Sequence, residues 1–574
     1  MPQSFSGYRW KLSSDVHSQR LLEQGLHPLV ARCLSLRLGP HEPHRWLQPD
    51  IADLFDPFQM KGMDVAVARI RAAVAAGEKI RIVTDYDVDG TTSSLILQRT
   101  LWALGAAQKV DYHIPDRFGE GYGFSETAAI QAAADGISLI ITADIGVRDH
   151  AAVHRASQAG IDVIICDHHL PSGAAVPVDA VAVLCPPQQG CDYPNPHLAA
   201  CGVSLKLAQA LLQGHSRRDA YIRSMLKVAA IGTVADVVPV SGTENRAIIS
   251  LGLEELRRSR HSHGLSALLF ISGLSDGWIT ASDLGFKVSP RINAAGRLAG
   301  ANTVIELFGA RDRQQALTLA RQLDELNQQR KQIQHELEEH SLNRIPDPAP
   351  DFVVLSGHEH DGWHRGVLGI VAARVKEKVH RPVALIGISG REARGSIRSI
   401  PSVSAVGALD ACQDILKSGG GHPAAAGFSL DVEQIPAFSE RLNAYVRQSV
   451  DLTEFVPTLE LDAVCPHEYL NIQTFSALQQ LGPHGNGNPR PVLWIKDVQP
   501  RRLQLIKEVH LKFRVGEVDA IWWNGARHLD QMRQPVDLAA APEINRYRNK
   551  SYPQLVIRDA APSSETPDGL PPFP

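Results

Sequence analysis

The chain has no Cys-x-x-Cys pair, and its seven cysteines, Cys33, Cys166, Cys185, Cys191, Cys201, Cys412 and Cys465, are odd in number and scattered. That excludes a zinc site of the usual spacing, argues against a disulfide framework, and suits a reducing cytoplasm. No run of about 20 apolar residues occurs, so no membrane span is expected. Met1-Pro2-Gln3-Ser4 opens onto no apolar core of a secretory signal. There is no internal repeat. Neither sign of charge dominates: 58 Lys and Arg face 62 Asp and Glu, a formal net charge of −4. A surface for nucleic acid must therefore be a local patch. What the chain has is length and apolar content. Its 574 residues, 44% of them hydrophobic, imply several domains, since single cores rarely grow past about 250–300 residues.

Three short apolar runs each end in an acid. Ile80–Thr84 leads into Asp85-Tyr86-Asp87-Val88-Asp89-Gly90, Leu139–Ala143 into Asp144, and Val163–Cys166 into Asp167-His168-His169. β-Branched runs of this kind read as buried parallel strands. Ligands of open parallel sheets bind beyond the carboxyl ends of the strands. Carboxylates and imidazoles are thus expected on one rim of one sheet, where they repel unless divalent cations compensate them.

Residues 1–77 read as an N-terminal helical segment, with helix from about Ser18 to Gly77. Strands and helices then alternate over 78–309, with Ser125 as a helix N-cap, which argues a doubly wound parallel sheet of α/β class. Over 310–345, Leu319, Leu323, Leu326, Ile333 and Leu337 recur at helical spacing and predict one long connector helix, ended by Pro346, Pro348 and Pro350. A second α/β domain is expected over 346–450, a β-rich domain over 451–560, and a disordered tail over 561–574.

If the backbone of Asp85–Asp89 stays extended, Asp85, Asp87 and Asp89 share one side, and Gly90 permits a sharp turn into a helix from Thr91. The alternative is an Asp-rich turn that merely caps that helix. His168 and His169 beside carboxylates favour Mn²⁺ or Mg²⁺; two surface histidines are the competing reading. Asp236, inside the apolar segment Ala229–Pro239, needs a partner, and a metal or an N-capped helix serves equally well. Two metals about 3.5–4 Å apart suit in-line hydrolysis of a phosphate ester.

These residues resemble the four motifs of the DHH phosphoesterase superfamily, named for its Asp-His-His triplet. Ile114-Pro115-Asp116-Arg117, Glu120-Gly121-Tyr122-Gly123, Ser289–Arg297 and Trp363–Ile370 narrow the likeness to the RecJ family of single-strand-specific DNA exonucleases. Gly421–Gly427 is similar to the glycine-rich motif of the associated DHHA1 domain, and the C-terminal region to an OB fold. The resemblance implies two Mn²⁺ or Mg²⁺ ions held by Asp85, Asp87, Asp89, Asp144, His168 and Asp236. Asp87, Asp89, Asp167, His168 and His169 are the expected catalytic set, with Asp167 and His169 either ligands or supports of the ligands, or His169 in contact with the scissile phosphate. Arg117, Ser396 and Arg398 resemble a pocket for a 5′-terminal phosphate, with His422 beside a phosphate; Arg291 and Asn293 either orient substrate or hold the core together. His484 and Arg490 depart from the family, which often has an aromatic and an acid there.

The expected activity is 5′-to-3′ hydrolysis of single-stranded DNA to mononucleotides in recombination and repair. Expected partners are single-stranded DNA, a helicase and single-strand-binding protein; a cytoplasmic monomer away from membranes is implied. The rivals are a DHH phosphodiesterase on short oligonucleotides or cyclic dinucleotides, an inorganic pyrophosphatase on the same core, and a non-catalytic DNA-binding scaffold. In the β-rich domain, Arg501, Arg502, Lys507, Lys512 and Arg514 form a basic stretch. Of the adjacent Trp522 and Trp523, only one is free to stack a base.

Overall fold

In the first apolar run, alternate side chains point to opposite faces of the sheet, and both faces are covered. Ile80 and Ile82 join the core on one side, Val83 the core on the other; Ile141 and Ile140 divide likewise, as do Ile164 and Ile165. Burial on both sides explains why the runs are continuously apolar rather than alternating. The computed structural model describes residues 4–563 except 15–17, 40, 116–122, 172, 174, 259, 276, 299, 452–454, 548 and 549. The chain divides into two units. One holds Ser14–Leu326 and Ile472–Pro491, the other Met1–Ser13, Asn327–Asn471 and Val492–Pro574.

In the first unit, the strands Ile80–Thr84, Val110–His113, Leu139–Ala143, Asp162–Cys166 and Ala182–Leu184 form one five-stranded sheet. All neighbours are parallel, and the Ile80 strand lies between the Val110 and Leu139 strands. The spatial order is therefore 2-1-3-4-5, the doubly wound arrangement expected. Helices Val88–Ala103, Ala200–Leu211 and Arg218–Ala235 pack together on one face.

In the second unit, a five-stranded mixed sheet has Val353–His358 parallel to Val383–Ser389, followed outward by Glu392–Arg398, Ala425–Asp431 and Leu416–His422, all antiparallel. A seven-stranded sheet contains the remaining strands from Ala463 to Pro562.

Three expectations need correction. The helical N-terminus does not include Arg9–Leu12. That segment is a strand parallel to Thr458–Leu461, and Trp10 Nε1 donates to the buried Asp559 Oδ2 at 2.9 Å. Four residues carry too little pattern to announce a strand whose partner lies far along the chain. The 451–560 stretch is not one continuous unit, because Ile472–Pro491 packs with the first unit. The tail begins later than 561: Ala561 and Pro562 end the strand Lys550–Pro562, and 564–574 lie outside the described residues. The glycine-rich Gly419–Gly421 lies in the edge strand Leu416–His422. The long helix does form, over Arg313–Asn343, and its residues fall in both units.

Candidate active site

With strand order 2-1-3-4-5, the direction of winding reverses between the Ile80 and Leu139 strands. Loops leaving the carboxyl ends of these two strands diverge and open a crevice. Asp85 and Asp87 follow the first strand and Asp144 the second. The backbone after Thr84 does not stay extended. Asp87 is the N-cap of the helix, its carboxylate accepting from Gly90 N at 3.0 Å, so the helix starts at Val88 rather than Thr91. Gly90 is required for closeness, since a Cβ there would lie 2.3 Å from the Asp85 carbonyl oxygen. Helical geometry turns Asp89 away from Asp85 and Asp87.

The acids therefore divide. One atom from each of Asp85, Asp87 and Asp144 lies within 4.8 Å of the others, and the same holds for Asp89, His168 and Asp236 and for Asp144, His168 and His169. Asp144 and His168 belong to two sets each and join them: His168 Nε2 is 3.2 Å from Asp144 Oδ1 and 3.8 Å from Asp89 Oδ2, and His168 Nδ1 is 3.6 Å from Asp236 Oδ2. His168 Nε2 is buried and makes no hydrogen bond. Asp144 has a left-handed backbone, φ 65°. Such a residue outside glycine costs about 1–3 kcal/mol and is typical of functional sites.

Electrostatics point the same way. Burial, then repulsion from Asp87, Asp89, Asp85 and Asp236, pushes the Asp144 carboxyl well above its ordinary range. Burial and the charges of Asp89 and Asp87 push Asp236 up to about 9. Burial lowers His168, keeping its imidazole neutral. Burial and mutual repulsion that raise Asp144 and Asp236 beside a neutral imidazole are the strain that divalent cations relieve. Carboxylate oxygen with imidazole nitrogen is a donor set that fits divalent Mn or Mg.

Asp167 supports the histidines, and Asp89 has a second task beside its place in a ligand set. Asp167 lies in none of the three sets. Its Oδ1 accepts from His168 N at 2.7 Å, His169 N at 3.1 Å and His169 Nδ1 at 2.7 Å, and its Oδ2 accepts from Val147 N at 3.0 Å. It orients the histidines and the turn after Asp144. Burial pulls the His169 pKa down, but the Asp167 hydrogen bond and charge outweigh it and raise it overall. Asp89 receives Ala200 N at 2.7 Å and Cys201 N at 2.8 Å, so it also caps the helix Ala200–Leu211. That amide pair left no mark in the sequence, because no Ser, Thr, Asp or Asn precedes the helix. Asp236 is at the C-terminal end of its helix, not an N-cap.

Family models match three stretches: the DHH family N-terminal domain over 79–233, the DHHA1 domain over 351–448, and the RecJ OB domain over 461–559. The single-stranded-DNA-specific exonuclease RecJ of Bacillus subtilis is 37% identical over 97% of this chain and 71% of its own length. The protein of that name from Dickeya dadantii is 34% identical over 93% of this chain and 96% of its own. The chain belongs to the RecJ family. The crystal structure of RecJ in complex with Mn²⁺ from Thermus thermophilus superimposes with a TM-score of 0.84 at 30% identity, over 99% of this chain and 82% of that one.

The residues expected to bind substrate fare unevenly against the RecJ motifs. Arg117 lies outside the described residues. Ser396, Arg398 and His422 meet on one face of the mixed sheet: Arg398 pairs across to Ala425 and Ala425 to His422, while Ser396 pairs to Gly427. Cross-strand partners project to the same side, as do residues two apart. Arg398 donates to Ser396 Oγ at 2.7 Å, and burial lowers its pKa. Gly369 makes room for it, since a Cβ there would meet Arg398 Nη2 at 2.7 Å.

Arg291 is held by protein partners. It bonds to Asp324 at 2.9 Å and to the Lys287 carbonyl at 2.5 Å, tying its helix to the long helix; Asn293 is half-buried on the same helix. Trp363, opening another RecJ-like motif, is a core residue. In the RecJ OB region, Lys512 and Arg514 pair with Asp519 of the adjacent strand at 3.1 Å each, so the exposed cations of the basic stretch are Arg501, Arg502 and Lys507. Trp522 is buried and stacks on His528, while Trp523 is exposed.

Proposed function

We propose that the protein is a metal-dependent exonuclease that hydrolyses single-stranded DNA from the 5′ end to mononucleotides, in DNA recombination and repair. The observation that carries this reading is the joining of three ligand sets through Asp144 and His168 at the carboxyl rim of the sheet. The names of its relatives, single-stranded-DNA-specific exonuclease RecJ, supply the substrate. The cofactor is a pair of Mn²⁺ or Mg²⁺ ions, supported by the donor set and by relatives crystallised with each metal. Such ions supply Lewis acidity and charge neutralisation at the phosphate.

The protein's own part is to hold and orient. Asp85 and Asp87 face Asp144 on one side; Asp89 and Asp236 face His168 on the other. His169, its Nδ1 given to Asp167, offers the remaining ring nitrogen as a donor to the scissile phosphate. Ser396, Arg398 and His422, on one face of the mixed sheet, hold a terminal phosphate. A helicase and single-strand-binding protein are fitting partners because an enzyme confined to single strands must be supplied with them. The cytoplasm is its place and a monomer its state; seven free cysteines favour the reducing compartment. No helix among the described residues is long and apolar enough to cross a membrane.

The test is a long single strand labelled at either end, incubated with Mn²⁺ or Mg²⁺. Immediate release of the 5′ label as a mononucleotide is expected. Release of the 3′ label first, or internal cuts, would sink the reading. Arg398→Ala is expected to cut the preference for 5′-phosphoryl over 5′-hydroxyl ends about tenfold to a hundredfold, the worth of one or two charge-assisted bonds. An unchanged ratio of kcat/KM for the two ends removes Arg398 from the pocket.

Metal and pH are linked with a definite sign. Asp144 and Asp236 bind protons more tightly in the folded metal-free protein than in the unfolded chain. Their contribution to metal-free stability therefore falls as pH rises from the ordinary carboxyl value of 3.8 towards about 9. Cations displace those protons, so the rise in Tm on adding Mn²⁺ should be larger at about pH 8 than at about pH 6. Equal rises at both, in paired thermal melts, would contradict the protonated carboxyls.

A further inference from the structure

Asp236 ends its helix with an ordinary right-handed backbone, φ −78°, but the next residue, Val237, has φ 58°. A β-branched residue resists the left-handed region, and no glycine stands there to relieve it. The kink matters because it follows directly on the carboxylate that faces His168 Nδ1 at 3.6 Å. It is held from outside its own helix. Asn486 Nδ2 donates to the Val237 carbonyl at 2.9 Å, and Val240 N donates to the Asn486 carbonyl at 2.8 Å. Asn245 Nδ2 holds the Pro239 carbonyl at 2.9 Å, and Trp46 Nε1 the Ser241 carbonyl at 3.1 Å.

Asn486 itself stands on a braced loop. Asn488, fully buried, donates to the carbonyls of Leu481 and Pro483 at 2.8 Å each. Arg246 donates to the carbonyls of Leu481, Gly482 and Pro483 behind it. Arg37 Nη2 donates to the Pro489 carbonyl at 3.2 Å. The loop belongs to Ile472–Pro491, which the chain contributes to this unit long after Asp236.

We infer that Asn486 is a positioning residue of the metal site: through the Val237 carbonyl it holds the strained turn that sets the Asp236 carboxylate against His168. The inference rests on the proposed role of Asp236 as a ligand. In this role Asn486 acts through Asp236, by way of the Val237 carbonyl.

The test reads Mn²⁺ binding to the DNA-free protein by electron paramagnetic resonance of the unbound ion. Asn486→Ala should weaken binding about threefold to tenfold, the range of one net hydrogen bond. The kcat at saturating Mn²⁺ and the KM for DNA should stay unchanged. In a Val237→Gly background, where the turn is no longer strained, Asn486→Ala should cost less. Wild-type affinity in Asn486→Ala, or an equal loss in both backgrounds, overturns the inference. If Asn486→Ala does not fold, Asn486→Asp, which keeps the shape and loses the donor, is read by the same criteria. Asp236→Asn separates the premise from the inference. Wild-type Mn²⁺ affinity in that variant rejects Asp236 as a ligand, whereas a loss there with no loss in Asn486→Ala rejects only the positioning role.

Discussion

Asp144→Asn should reduce kcat by about 10³-fold or more, about 4 kcal/mol of barrier, while leaving the protein folded. Asn preserves the volume and tolerates the left-handed backbone that Asp144 adopts at φ 65°. What it removes is the charge shared by two ligand sets. The same change should raise the metal-free Tm slightly, because Asp144 is repelled by Asp87, Asp89, Asp85 and Asp236. Loss of cleavage combined with unchanged or increased stability is the signature of a site built to be neutralised by cations. Single-turnover rates and thermal melts of the metal-free protein check the two halves. Activity within tenfold of wild type would remove Asp144 from the reaction.

The largest loss of stability is expected from Arg246→Ala. Its side chain is fully buried, lies over the Trp46 ring with 3.5 Å from the guanidinium carbon to the centroid, and donates to the carbonyls of Trp46, Gln480, Leu481, Gly482 and Pro483. Truncation leaves a cavity and several buried acceptors without donors, each costing about 1–3 kcal/mol. A total of about 3–5 kcal/mol is expected, lowering the Tm of this unit by about 5–10 °C. Arg246→Lys should rescue little, since a single ammonium cannot span so many carbonyls. A Tm within about 2 °C of wild type would show that the loop is not anchored there. Protease sensitivity near Ile472–Pro491 should rise in parallel.

Strand ends, the long helix and the Ser125 N-cap were legible because each is local. An apolar run of five residues, a periodic face or one side chain reaching three residues on needs no distant partner. Ser125 does accept from Ala128 N, at 3.1 Å. Asp167 shows the limit of that reading. Its place in the triplet left a ligand or a supporting role open, and only the fold shows its four acceptor contacts to His168, His169 and Val147. Arg291 is similar: its motif left open a substrate or a core role, and its ion pair with Asp324, well separated in sequence, appears only in the fold. Lys512 and Arg514 counted as free charge until the register of the sheet set Asp519 beside them. His484 and Arg490, which depart from the family pattern, both turn inward: His484 is pushed down to about 3 by burial and by Arg490, Arg37 and Arg246, and Arg490 reaches Ser282.

The sequence by itself determined the chemistry available: acids and imidazoles at the ends of buried parallel strands, a donor set that suits divalent cations, and motifs that name a family. Only the tertiary structure decided which acids meet. Strand order places Asp85 and Asp87 beside Asp144, the phase of one helix sends Asp89 to His168 and Asp236, and a loop from the far end of the chain braces the turn after Asp236. These pairings are long-range, and their stability comes from packing and hydrogen bonds between segments that carry no mark of one another. A local pattern therefore names the parts of the site but not their assembly.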